Sequence, residues 1–201
     1  QVFMQKAPFT GAAQKVIKTI NRFSGITWGD STTAVAYDRW WNTRNTKTYV
    51  FNPSDGSNMG EVISDRSYQD TYSDPGNFVT HDNEYGRSVL TLVDGHAYLM
   101  GDGFSDKGQF PFIDKINLAT QKTERIYEST YTDKLEDLQK VLDIESGNVL
   151  VRIEAPTEYP NYYIRNLNDN SLDQITAFEN PFKSIQDVHK ELITYKREDG
   201  L

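Results

Sequence analysis

The chain of 201 residues contains no cysteine, which excludes a disulfide framework, a thiolate zinc site and a cysteine nucleophile together. Long apolar runs are also missing. Stretches such as Val50-Phe51 and Val149-Leu150-Val151 fall far short of the roughly 18 to 20 residues that a membrane-spanning helix needs. No signal-peptide pattern opens the chain. It begins at Gln1 rather than at a methionine, as a processed precursor or a cut segment does; for a bacterial source this fits an exported or periplasmic protein. Basic residues are in deficit, 21 against 29 acidic for a net charge of −8. Binding to a nucleic-acid backbone is therefore disfavoured, because clustered Lys and Arg dominate it.

Catalytic patterns are equally scarce. No Gly-x-Ser-x-Gly occurs, the arrangement in which a strained turn exposes a serine hydroxyl at a strand end. The nearest string, Gly103-Phe104-Ser105-Asp106-Lys107-Gly108, has the wrong spacing. His81, His96 and His189 are scattered, with no second histidine at metal-binding distance, and read as turn or surface residues. Asp65, Asp70, Asp74 and Asp82 with Asn77 and Asn83 offer hard oxygen ligands, but their spacing does not match a calcium loop; a solvated acidic loop is the plainer reading. No glycine-rich phosphate loop is present. The sequence thus assigns no catalytic residue, no metal and no cofactor.

What the chain does have is aromatic residues at 12% and 13 glycines, a balance that favours β-structure with tight turns. Four strand-turn-strand stretches align: from Val2, Lys47, Phe110 and Asn161. Between them lies a second set with turns at Gly29-Asp30, Asp94-Gly95 and Ser146-Gly147, dipeptides suited to tight hairpins. The two sets alternate, so one unit holds four short strands. Units begin near Phe23, Arg87 and Leu138, roughly 50 to 65 residues apart, a spacing close to that of β-propeller blades. The expectation is an all-β, partial β-propeller of about three complete four-stranded blades: a partial unit at 1–22, then 23–86, 87–137 and 138–183, with an exit strand at 184–201. A polar insertion over 64–86 accounts for the longer first unit. Asp133 to Val141 fits either a helix or a strand entrance.

If the strands of a blade meander antiparallel, its links fall alternately on two ends. One end should carry short generic turns. The other should carry longer, chemically richer links: Arg39-Trp40-Trp41-Asn42-Thr43-Arg44-Asn45, the 64–86 insertion, the stretch from Gly101, and the stretch from Ala155 with Pro156, Tyr159, Pro160, Tyr162 and Tyr163. Such loop clusters on rigid scaffolds commonly bind ligands. Adjacent strand residues point to opposite sides, so one of Trp40 and Trp41 is expected in the core and the other outside. Arg39, Trp41 and Arg44 are the candidate substrate-binding residues, since a guanidinium holds a carboxylate in two-pronged fashion and stacks on an indole. Blade packing with solvent-exposed arginines is the competing reading.

With these residues in view, the chain resembles part of the prolyl oligopeptidase family of serine peptidases, in its glutamyl endopeptidase-like branch. The resemblance runs over essentially the whole chain and is strongest from Arg22 to Asp55, from Asp65 to Asn77 and from Lys190 to Gly200. It implies an N-terminal propeller that gates and contacts peptide substrates for a C-terminal α/β-hydrolase domain holding the catalytic Ser, Asp and His. This chain stops at Leu201 before any of them, so the segment alone should not hydrolyse peptides. The partners implied are that hydrolase domain and a peptide substrate, with self-association of the isolated segment through uncovered blade faces. The alternative is a complete small non-enzymatic propeller, a ligand- or protein-binding module whose two ends join into one blade.

Overall fold

A computed structural model of the chain describes residues 1–55, 60–185, 188–189 and 191–199. Strands form where apolar residues alternate, and the Asp, Asn, Ser and Gly clusters between them become turns. A hairpin of β1 (Val2–Met4) and β2 (Gln14–Ile17) comes first. A four-stranded antiparallel meander follows: β3 (Arg22–Trp28), β4 (Ala34–Trp40), β5 (Asn45–Phe51) and β6 (Glu61–Ser67).

The second sheet is less regular. After β7 (Asn77–Phe78), the chain turns out as a separate hairpin of β8 (Thr80–Asp82) and β9 (Ser88–Leu90). It then returns to β10 (His96–Gly101), forms the small hairpin β11 (Phe104–Ser105) and β12 (Gly108–Gln109), and completes the sheet with β13 (Phe112–Asn117) and β14 (Thr123–Glu128). The first strand of this sheet is therefore assembled from two pieces of sequence. Phe78 lies opposite Leu99 and the Val79 amide donates to the Tyr98 carbonyl at 2.8 Å. Twelve residues on, the Thr91 amide donates back to the Val79 carbonyl at 3.0 Å and Val93 pairs with His96. The expected turn closes this hairpin, with φ of 50° at Asp94 and 74° at Gly95, as the primed turns of tight hairpins require.

The third sheet is a plain meander of β15 (Leu135–Asp143), β16 (Asn148–Ala155), β17 (Glu158–Asn166) and β18 (Leu172–Gln174). The ambiguous stretch 133–141 is thus mostly strand. The only helical element among the described residues is a short 3-10 turn at Lys183–Ile185.

The cores lie between the sheets. Val16 and Ile17 of β2 pack on Ala34, Ala36, Tyr49 and Phe51. Ala97, Leu99 and Ile116 of the second sheet pack on Ile63 of the first. Tyr98 and Ile113, one residue out of phase, pack on Leu138, Val141, Val149, Val151 and Ile153 of the third. Alternate residues of β10 and β13 therefore bury opposite faces of one sheet, the period-2 consequence of strand geometry. Four-stranded meanders stacked face to face in chain order are successive propeller blades, and the fold is all-β.

Polar side chains lock the stack at two points. Asp38, fully buried, accepts hydrogen bonds from the Tyr49 hydroxyl (2.6 Å), the Asn21 amide (2.7 Å), the Asn21 side chain (3.1 Å) and the Lys47 amide (3.1 Å). Glu136 of the third blade, 1% exposed, receives the Arg165 guanidinium (2.8 and 3.0 Å) and the hydroxyl of Tyr127 from the second (2.5 Å).

Several expectations change. Residues 64–67 belong to β6, 77–78 to β7 and 80–82 to β8, so the insertion shrinks to 68–76 plus the β8–β9 hairpin. The second blade starts at Asn77, ahead of Arg87. Both Trp40 and Trp41 are exposed, at 46% and 69%, because β4 ends at Trp40 and the chain turns before either indole reaches a neighbouring sheet. The expected exit strand at 184–201 falls partly outside the described residues; its described part from 188 on carries no strand. No described residue there pairs with β1 or β2, as ring closure through the two ends requires.

Candidate functional site

The meander sends the links 41–44, 68–76, 102–111, 129–134 and 156–157 to one end of the stack. Length does not set this end apart. The Trp-Trp link is a four-residue turn and the link after Ala155 has two residues, while 52–60 at the opposite end is as long as 68–76. The chemistry of the links does distinguish it.

In the 41–44 turn, Arg44 adopts a φ of 57° and its amide donates to the Trp41 carbonyl at 3.2 Å. The Arg44 carbonyl accepts the Tyr68 amide at 2.8 Å, which fixes the start of the 68–76 link against the turn. Side chains then stack across this contact. The Arg44 guanidinium lies 3.8 Å from the centre of the Trp41 ring and donates to the Tyr68 hydroxyl at 3.2 Å. Arg39 sits 4.5 Å from the centre of the Tyr68 ring. The three candidate residues are thus gathered around Tyr68.

Nearby carboxylates are committed elsewhere. Asp65 receives Lys47 and the Asn45 side chain, which hold it below the usual carboxylate range. Arg66 pairs with Asp74 at 2.6 Å. Asp70 is held low by Ser73 and the Tyr72 amide. Asp38, next to Arg39 in sequence, points inward to its own donors. Neither Arg39 nor Arg44 has a carboxylate partner among the described residues.

Two grooves lie on the same end. One, of about 620 Å³, is lined by Tyr72, Phe104, Phe112, Arg125 and Glu128. The other, of about 590 Å³, is lined by Tyr131, Lys134, Glu154 and Pro156. Lys107 and Phe110 touch both, so the β11–β12 hairpin is the ridge between them. Gly103 permits that hairpin: its φ is 64° and a Cβ there would fall 1.8 Å from the Phe110 carbonyl oxygen. Arg125 is immobilised between Asp114 and the Phe112 ring, whereas the Lys107 ammonium makes no ion pair among the described residues.

The histidines stay apart: His81 contacts Thr91 and His96 contacts the Asp94 carbonyl. The insertion aspartates do not converge either. Among the described residues no three His, Asp or Glu side chains are placed to hold a metal ion.

No protein-family model matches the chain. It is 32% identical over 216 aligned residues to a protein of Arabidopsis thaliana described as a probable glutamyl endopeptidase, chloroplastic, and 30% identical over 215 to one of Oryza sativa subsp. japonica with the same description. Both alignments take in the whole of this chain. The chain resembles one segment of a glutamyl endopeptidase. It spans 22% and 23% of those relatives' lengths, so they are much larger proteins. Among solved structures, TolB from Acinetobacter baumannii superposes with a TM-score of 0.41 at 14% identity, over 87% of this chain and 37% of that one.

Within this glutamyl endopeptidase-like segment, sequence reading missed two members of the cluster. Tyr68 is a lone aromatic in a polar stretch and carries no signal beyond that. Arg22 is directly opposite Arg39 in the β3–β4 register, a relation visible only once the strands are paired.

Proposed function

We propose that this chain is a non-catalytic propeller segment of a serine peptidase of the prolyl oligopeptidase type. Its link-rich end faces a C-terminal α/β-hydrolase domain and meets peptide substrates on their way to the catalytic site. The observation that carries this reading is the convergence, on one end of the stack, of the Arg39–Trp41–Arg44 cluster and two open grooves. Among the described residues, the opposite end has no comparable set of cations without carboxylate partners beside aromatic rings. Whole-chain similarity to a segment of much larger peptidases supports the same reading, as does the lack of any Gly-x-Ser-x-Gly between Gln1 and Leu201.

The test is to read the coding sequence beyond Leu201 and to assay both products. A downstream Gly-x-Ser-x-Gly, with peptide cleavage by the longer product and none by the 201-residue chain, is the expected result. A stop codon directly after Leu201 would refute the proposal, as would cleavage by the shorter chain that persists through every purification step.

A further inference from the structure

We propose that the cleft between the first two blades is a binding site for one small phenolic molecule. The two sheet faces that meet there do not match. On the first blade Tyr37, Thr48 and Ser64 are cross-strand partners in a row and so project from one face. On the second, Leu99 and Ile116 present an apolar surface beside Phe78. A cavity of about 130 Å³ is left between the two, and all six side chains line it. A register shift in β6 leaves Ile63 without a cross-strand partner and brings it to the same cavity, the re-aiming that a β-bulge produces. The rim is fixed. Gly76, with a φ of 84°, lies so near the second blade that a Cβ would fall 2.4 Å from the Met100 carbonyl oxygen, which holds the 68–76 link against that blade instead of in the cleft.

Size and polarity select the ligand. A cavity of about 150 Å³ walled by Leu, Ile and Phe holds one benzene ring, so the space here takes a single ring and no drug-sized molecule. Leu99, Ile116, Phe78 and Ile63 supply a wall of that kind. On the opposite wall the Thr48 and Ser64 hydroxyls make no hydrogen bond among the described residues, and the Tyr37 hydroxyl has only Thr27, at 3.4 Å. No fully buried side-chain polar atom among the described residues lacks a partner, so these half-buried hydroxyls open into the cleft. A plain hydrocarbon would strip water from them without replacing its hydrogen bonds, whereas a ring with one hydroxyl restores a bond while its face lies on the apolar wall. The ligand is neutral, because the single charged side chain at the cavity, Asp114, is already held by Arg125. Water is the competing occupant, since the site is polar enough to keep it.

The 201-residue chain is titrated with phenol and with benzene, and binding is followed by ligand-observed nuclear magnetic resonance. Phenol should bind saturably, one molecule per chain, and about fivefold more tightly than benzene, the worth of a single net hydrogen bond. Thr48→Val keeps the shape and removes a hydroxyl; it should weaken phenol about fivefold without weakening benzene. Ser64→Ile fills the cavity and should abolish binding of both, with unchanged far-ultraviolet circular dichroism showing that the variant is folded. If Ser64→Ile does not fold, the opposite responses of phenol and benzene to Thr48→Val still decide. Absence of saturable phenol binding would mean that the cleft holds only water and would overturn the proposal. Equal affinity for phenol and benzene, or phenol binding that persists in folded Ser64→Ile and so lies elsewhere on the surface, overturns it as well.

Discussion

Replacing Asp38 by Asn tests the account of what holds the first blade together. The change is nearly isosteric, so packing survives and only hydrogen bonding is altered. Each carboxylate oxygen of Asp38 accepts two donors, none of them a cation: Tyr49 and the Asn21 amide on one, the Asn21 side chain and the Lys47 amide on the other. An amide offers one oxygen and one NH2, so two of these four donors must face another donor. With about 1.5 to 3 kcal/mol for each hydrogen bond to a charged group, the loss is about 3 to 6 kcal/mol, a large part of the roughly 5 to 15 kcal/mol that stabilises a domain. Urea unfolding followed by tryptophan fluorescence reads this blade selectively, because Trp28, Trp40 and Trp41 all lie in β3, in β4 or in the turn after it. At m-values of about 1 to 3 kcal/mol/M, the midpoint should fall by at least about 1 M. Tyr49→Phe removes one donor from Asp38 and the acceptor of the Ile20 amide, and should cost about 2 kcal/mol with clear non-additivity in the double variant. A loss below about 1 kcal/mol in Asp38→Asn, or strict additivity, would refute the idea that this carboxylate is the hub.

Arg165→Met leaves Glu136 buried with only the Tyr127 hydroxyl and should cost about 3 to 5 kcal/mol; adding Glu136→Leu should recover at least half of that loss in a thermal melt, since no uncompensated charge then remains. Alkaline pH should weaken the fold through Tyr49. Burial first, then its bond to Asp38, push this phenol up to about 12 from an ordinary value of 10.0. The folded chain therefore keeps a proton that the unfolded chain loses, and the stabilisation is complete below pH 10 and lost as pH rises towards 12; tyrosinate absorbance should rise together with unfolding, and less steeply in Tyr49→Phe. Exposed Phe3, Phe9, Leu142, Ile175, Phe178 and Phe182 should make the 201-residue chain self-associate, and light scattering that reports a clean monomer at all concentrations would contradict this.

Hairpins were legible because their turns are local chemistry. Asp94-Gly95 and Ser146-Gly147 mark turns that the strand pairing confirms; the alternating run in β16 declares the face it buries, and the continuous apolar runs in β4 and β10 mark strands buried on both faces. The far end of the outer strand β6 was hidden: its start at Glu61 belongs to the hairpin read from Lys47, but Ser64, Asp65, Arg66 and Ser67 are all polar, since an outer strand covers little core and its backbone pairing leaves no trace in composition. The start of the second blade was hidden for another reason. Only Asn77 and Phe78 precede the outward hairpin, too short a run to show a period. The arginines and Trp41 stood out by residue type. What united them, the Arg44 carbonyl holding Tyr68 and the Arg22–Arg39 register, depends on tertiary geometry that no spacing encodes. The exposure of both tryptophans likewise follows from where β4 stops.

The split strand of the second blade also marks a place where the chain can be opened. Val79 and Thr91 are joined by a backbone hydrogen bond, so the hairpin between them leaves and re-enters at almost the same point. Its tip is solvent-facing, with Tyr85 at 78% exposure. A foreign sequence spliced in at 84–86 would start and finish beside itself and place no demand on the stacked sheets, as successful insertions generally require. A reporter peptide or a small folded domain can therefore be carried there while both neighbouring cores keep their contacts.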